Sequence, residues 1–433
     1  MKINLRFLLI LPMLAVFCTN AVFWEFAFGY MVDQEPEQLK YLNYALLASS
    51  LAAVVLYWRY MQPLIQKWFI GWAGVVGWLM LESYAGWDSV LVYPHVFNKF
   101  FVLLNIFGIY AFHRRFGLPS FQQLINVLLV MMLANLLLFH RDSLSLNAFV
   151  ENERGFNSGS AYLFVLVALF HLNAYLLRGS LVSLLVFLLC LPLIVFLQHR
   201  SVWIATLIAV PLDLLLLRWA RVARFSTAKL TLLIGLPLVL GSLGVTMIVL
   251  DSPEVVARFE ESLDDIANAD KQGTGSWRLK QLESYLPLVE ERPVAGWRLE
   301  GFEVPMQFYD PSSDAPMWAD RTGHHFHNFY LDRLFYFGFL GVLLVLLVPI
   351  ISVIKRLHQS RIVTADTAVL LSFFGSLIVF GTSYDWSTYH FGLIGLMLAA
   401  IAQPLAMTPP PGPSARPAAL PEPLLYQPWE VPA

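Results

Sequence analysis

Three histidines in four positions, His324, His325 and His327, stand directly ahead of an apolar run that ends at Ile350, in HHFHNFYLDRLFYFGFLGVLLVLLVPI. An imidazole near neutrality can take a proton from a hydroxyl, bind a metal or make structural hydrogen bonds. H-H-x-H is poor metal spacing because adjacent side chains diverge on a regular backbone. No H-E-x-x-H or second ligand group accompanies it, so no metal is expected. Two arginines are also out of place. Arg200 interrupts LPLIVFLQHRSVWIATLIAV, where four polar residues separate a pair of apolar runs. Arg278 lies in GTGSWRLKQLESYLPLVEERPVAGW. A guanidinium presents a planar fork of donors that matches a phosphate. The plainer readings are a snorkelling arginine at position 200, an arginine bent toward water at 278, and a hydrogen-bonded interfacial histidine at 327.

The rest of the chain dictates where such groups can sit. Charged residues make up 13% of 433 and the mean hydropathy is +0.63, against roughly 25% charged in a soluble domain. The composition is that of an all-α membrane protein. Apolar stretches mark about twelve transmembrane helices, with cores at 7–28, 41–58, 68–84, 97–112, 121–139, 161–177, 181–197, 202–217, 230–250, 329–354, 365–382 and 389–406. The opening MKINLRFLLILPMLAVFCTN is like a signal peptide but reads as an uncleaved first helix. Cys18 and Cys190 both fall inside apolar runs, so no disulfide is expected. The net charge of −2 argues against a nucleic-acid partner.

Loop charges set the orientation. With the first terminus inside, fifteen Lys and Arg fall in cytoplasmic pieces, and five, Lys40, Lys99, Arg141, Arg154 and Arg200, in short outer loops. That asymmetry is the positive-inside pattern. It predicts two cytoplasmic termini and a multi-pass chain in a bacterial inner membrane. The expected organisation is nine spans over 1–250, a periplasmic loop domain over 251–328, three spans over 329–406, and a disordered Pro-rich tail over 407–433. The three histidines then close the large loop, on the outer face.

Within that loop, Ser276 is a candidate N-cap and Pro293 a stop for one helix. Leu279, Leu282, Tyr285, Leu286 and Val289 recur at helical spacing. With Leu279 at zero and 100° per residue, the apolar face spans roughly 240–360°, Arg278 falls at about 260° and Lys280 at about 100°. Arg278 is therefore expected to face the membrane domain, and Lys280 water. Asp332 and Arg333 could pair with loop charges, and Asp213 reads as structural. No P-loop, G-x-G-x-x-G, G-x-S-x-G or kinase motif is present, which argues against nucleotide-driven chemistry.

Three segments in fixed order, QHRSVWIA, SWRLKQLESYLPLVEERPVAGWRLEGF and HNFYLDRLFYFGFLGVLLVLL, resemble the O-antigen ligase and polymerase superfamily of bacterial membrane glycosyltransferases. The resemblance covers about 195–350. It departs at GWRLEGF, where Gly296 and Gly301 lack a middle glycine. It implies a GT-C-like, metal- and nucleotide-independent enzyme with no cofactor. The donor would be a glycan on undecaprenyl diphosphate among the membrane lipids. The acceptor would be the lipid A core or another glycan, in lipopolysaccharide or exopolysaccharide synthesis. It further implies Arg200, Arg278 and His327 as catalytic residues, and Arg200, Arg278 and Asn328 as substrate contacts. The alternatives are a protein O-oligosaccharyltransferase, a polytopic transporter and an export subunit.

Overall fold

A computed structural model of the chain describes residues 5–29, 36–220, 226, 228–229, 231–233, 235–236, 239, 253–268, 273–309, 324–359 and 363–403. Among these residues the regular structure is helical. The helices are α1 (Leu11–Phe17), α2 (Ala21–Phe28), α3 (Leu39–Tyr57), α4 (Pro63–Trp87), α5 (Pro94–Phe101), α6 (Leu104–Phe116), α7 (Phe121–Phe139), α8 (Leu146–Glu151), α9 (Ser158–Arg178), α10 (Leu181–Phe196), α11 (Arg200–Trp219), α12 (Pro253–Ala267), α13 (Gly273–Glu291), α14 (Phe329–Gln359), α15 (Ala365–Phe380) and α16 (Thr388–Ala402).

Seven described helices are long and apolar enough to cross a bilayer. They are Leu39–Tyr60, Pro63–Trp87, Pro94–Phe116 (α5 running into α6), Phe121–Phe139, Ser158–Arg178, Arg200–Trp219 and Phe329–Gln359. The first expected span is a pair of short helices bent by 86°, and counts as an eighth if both cross together. Three more apolar helices, α10, α15 and α16, have 15 or 16 residues. At 1.5 Å per residue they fall somewhat short of a hydrocarbon core of about 30 Å. The expected core at 230–250 and the expected tail at 407–433 lie almost wholly outside the described residues. The chain is a multi-pass membrane protein.

Two helices, α9 and α16, are apolar around their whole circumference and are buried accordingly, so they form the centre of the bundle. Helices α7, α10, α11 and α15 pack against α9, and α1, α6 and α14 against α16. The outer faces of α3, α4, α7 and α11 carry exposed apolar residues such as Leu56, Trp78, Leu138 and Leu207. In a bilayer those faces meet lipid.

The loop after α13 is fixed on the bundle by named contacts. Glu303 accepts from the Tyr93 hydroxyl (2.5 Å) and from the Trp87 indole (2.8 Å). Phe302 stacks on Tyr93 at 4.0 Å, and Arg298 pairs with Glu82 at 2.8 Å. Helix α14 is broken at Gly338 (φ 59°, ψ −160°). There the loop backbone takes over the broken ladder. Phe339 N–H donates to Pro293 O (2.8 Å), Leu340 N–H to Val294 O (3.1 Å), and Trp297 N–H to Phe335 O (2.9 Å).

Two local expectations are corrected. Helix α13 begins at Gly273, so Ser276 lies inside it and is buried rather than serving as the N-cap. The buried face is also turned. Gln281, Tyr285 and Val289 face inward, at about 200–280° on the same wheel, while Leu279 and Leu286 are exposed. The reason is a specific polar partner: the Gln281 amide donates to the His325 carbonyl at 2.9 Å, which draws that side of the helix in. Arg278, at 260°, still falls on the inward side, and Lys280 is exposed.

Candidate active site

Four elements supply the site. The turn between α10 and α11 carries Arg200 as the first helical residue, after Gln198 at φ +54° and a buried His199. The His199 ring bonds the Phe156 carbonyl at 2.6 Å. That bond ties the turn to the loop holding Arg154. Asn157 ends this loop by capping α9 through Ser160 N–H (2.7 Å). Helix α12 contributes Arg258, whose guanidinium also bonds Glu261 at 2.5 Å. Helix α13 contributes Arg278.

Arg278 lies between two aromatic faces, 5.0 Å from the Trp277 ring centre and 4.8 Å from that of Tyr384. Such stacking holds a guanidinium plane while leaving its edge donors available. Arg154 is half-buried here. Burial lowers its pKa first, Tyr384 works against that, and the charges of Arg200, Arg258 and Arg278 lower it further. The charges of Arg200, Arg258 and Arg278, from three other elements, thus all reach Arg154. His199 registers the same field: burial, then Arg154 and Arg278, push its pKa down to about 3 against the bond to Phe156.

The His327 ring lies 5.0 Å from the Trp277 ring and 5.0 Å from the ring of His325. Its pKa is pushed down to about 4, first by burial, then by His325 and Arg278. At neutral pH the ring is thus uncharged. His325 and His327 line a cavity of ≈ 260 Å³ with Asn157, Ser158, Tyr384 and Asp385. The charge of Arg278 thus reaches both His327 and Arg154, and that of Arg200 reaches Arg154.

The other candidates have structural duties. His324 is buried and uses both nitrogens: the Tyr285 hydroxyl donates to Nδ1 (2.5 Å) and Nε2–H donates to the Val304 carbonyl (2.9 Å). It cannot turn to share a ligand with His327. The Asn328 side-chain oxygen caps α14, accepting from Tyr330 N–H (2.8 Å) and Leu331 N–H (3.1 Å). Asp332 and Arg333 are buried and bond each other. Asp332 also binds Lys99 of α5, and Arg333 reaches Asp385 at 3.8 Å.

Arg154, Arg258, Trp277 and Tyr384 were not singled out from the sequence. Arg154 did carry a signal, the one that marked Arg200: a cation in a short loop expected on the outer side, against the charge trend. Arg258 carried none, because Glu261 three residues on is an ordinary helical pair.

Residues 185–346 match the family described as O-Antigen ligase, a span that holds Arg200, Arg278, His327 and Asn328. No curated protein matches the chain. Over residues 185–346 the chain is therefore similar to the O-antigen ligase family.

Proposed function

We propose that the protein transfers a glycan from undecaprenyl diphosphate to a sugar hydroxyl, as an O-antigen ligase or polysaccharide polymerase. In this reading the chain spans the bacterial inner membrane twelve times, with both termini cytoplasmic and the cavity beside His327 open to the periplasm. The observation that carries it is that Arg278 and His327 both lie 5.0 Å from the Trp277 ring, and that the charge of Arg278 reaches His327 and Arg154 alike.

The chemistry follows from charge. The acceptor oxygen attacks the anomeric carbon, the bond from that carbon to the diphosphate oxygen breaks, and the electron pair leaves with the diphosphate. Negative charge grows on the leaving group, where Arg278 and Arg200 stabilise it through donors already in place. Arg154 adds to the same field. The acceptor proton passes to His327 and then to solvent. A ring with a pKa of about 4 is a weak base. A bound diphosphate offsets the charge of Arg278 and raises that pKa toward neutrality, so the base strengthens when the donor is present. No nucleotide enters, because the lipid diphosphate is itself the activated leaving group.

The test is complementation of a ligase-null and a polymerase-null bacterium with the wild-type chain, Arg278→Ala and His327→Ala, read on glycan gels at matched protein levels. Recovery by wild type alone supports the reading and identifies the acceptor. Recovery by all three removes the site assignment, and recovery by none in either host removes the transferase reading.

A further inference from the structure

A second cavity of ≈ 310 Å³ adjoins the one beside His327 and shares His95, Lys99 and Asp385 with it. Its volume is at the lower end of ligand pockets, about 300–1,000 Å³. Its walls differ in kind from the arginine group. They offer the amides of Asn43 and Asn98, the hydroxyl of Thr388 and the exposed ring of Tyr44, while Asn105 is buried and bonded to Ser50 and Val102, and Trp386 is buried against Phe329.

The charges at its border are matched internally. Lys99 and Arg333 both bind Asp332, Arg333 reaches Asp385, and Lys40 pairs with Glu37 at 2.7 Å. A phosphate would find no surplus of positive charge here. Side-chain amides and hydroxyls both donate and accept, as sugar hydroxyls do. An aromatic face offers a surface for the apolar side of a sugar ring.

We infer that this cavity is a saccharide subsite. It takes uncharged sugar rings of a glycan that continues past Lys99 and Asp385 toward His327. The inference rests on the transferase reading for its orientation, and on the cavity's own chemistry for its ligand class. Phosphates go to the arginines, and sugars to the amides.

The same ring chemistry is present in the donor's repeat unit and in a core acceptor, so the experiment uses both. Full-length protein in nanodiscs is titrated with the phosphate-free repeat oligosaccharide and, separately, with the phosphate-free core oligosaccharide from the producing strain. Wild type, Asn98→Ala and Thr388→Val are compared by ligand-observed NMR. Asn98 is exposed on α5, and the valine has nearly the shape of threonine, so neither change disturbs the core.

Saturable binding of either saccharide to wild type, weakened at least ten-fold in both variants, is the expected result. The saccharide that responds identifies the source. Absence of saturable binding to wild type, or equal binding by wild type and both variants, overturns the subsite. The two readings fail separately. Oligosaccharide binding through Asn98 in a chain that complements neither host leaves the subsite standing without the transferase. Normal complementation with no Asn98 or Thr388 effect on binding removes the subsite alone.

Discussion

Gly296 and Gly338 close on each other backbone to backbone. Both have positive φ, 62° and 59°. A Cβ added to Gly296 would fall on the backbone of residues 336–338, 2.6 Å from Gly338 N. One added to Gly338 would fall on the Val294 carbonyl and lie 2.5 Å from Pro293 O. The glycine-poor turn GWRLEGF thus uses Gly296 to dock the loop into the break of α14, not to approach a substrate. This contact joins the helix that carries Arg278 to the helix that begins just after His327.

The glycine pair has a direct consequence. We expect Gly296→Ala and Gly338→Ala each to destabilise the fold, by about 1–3 kcal/mol from the backbone conformation alone. The steric clash adds to that. Thermal unfolding in detergent checks this. An unchanged melting temperature would mean that the loop and α14 separate without cost.

Arginine removal separates roles. Arg278→Gln is expected to lower kcat roughly 10²–10³-fold, the loss typical of one preorganised donor to a developing charge. Arg154→Gln acts only through the shared field, so we expect a smaller loss, about 10-fold, mostly in KM for the lipid donor. Steady-state kinetics with purified protein distinguishes the two. Equal losses would mean that Arg154 contacts the leaving group directly.

The pH profile reports His327. Its pKa is about 4, so kcat/KM, which reports the free enzyme, should hold from neutrality to about pH 5 and fall below that. The acid limb of kcat should lie at higher pH, because the bound diphosphate offsets Arg278. His325→Ala should shift the free-enzyme limb upward, since one depressing neighbour is gone. Coincident limbs for kcat and kcat/KM would remove the coupling between donor and base.

Acid stability follows from His199. Its folded pKa is near 3 and its unfolded value near the usual 6.5. Below 6.5 the unfolded chain binds a proton that the folded chain refuses. Stability is therefore full above about 6.5 and declines as pH falls toward 3. His199→Asn should flatten that decline in melts taken from pH 7 to pH 4, and a slope unchanged by the substitution would count against it.

The buried charges form one unit. Asp332→Asn leaves Lys99 and Arg333 without their shared anion, and breaking a buried pair typically costs about 3–5 kcal/mol. We expect the variant to melt well below wild type. Lys99→Met, which keeps the Asp332–Arg333 contact, should melt between the two.

The chain by itself determined what depends on composition and period. Runs of about 20 apolar residues must become helices where no water is available to the backbone, and helices stand at the expected cores wherever the chain is described. The inward side of α13 was legible for Arg278, because position on a helix follows from spacing. Three segments marked Arg200, Arg278 and His327 as candidates. What only the tertiary structure decided depends on contacts between residues far apart in sequence. His324 and His327 differ by three positions, yet Tyr285 and Val304 claim one and Trp277 faces the other. Arg154 joins the arginine group because His199 ties its loop to the turn before α11. Gln281, polar by type, turned α13 because one carbonyl, that of His325, was there to meet it. Hydrophobic periodicity is a property of one segment, whereas a hydrogen bond needs two, and the second partner is known only once the chain has folded.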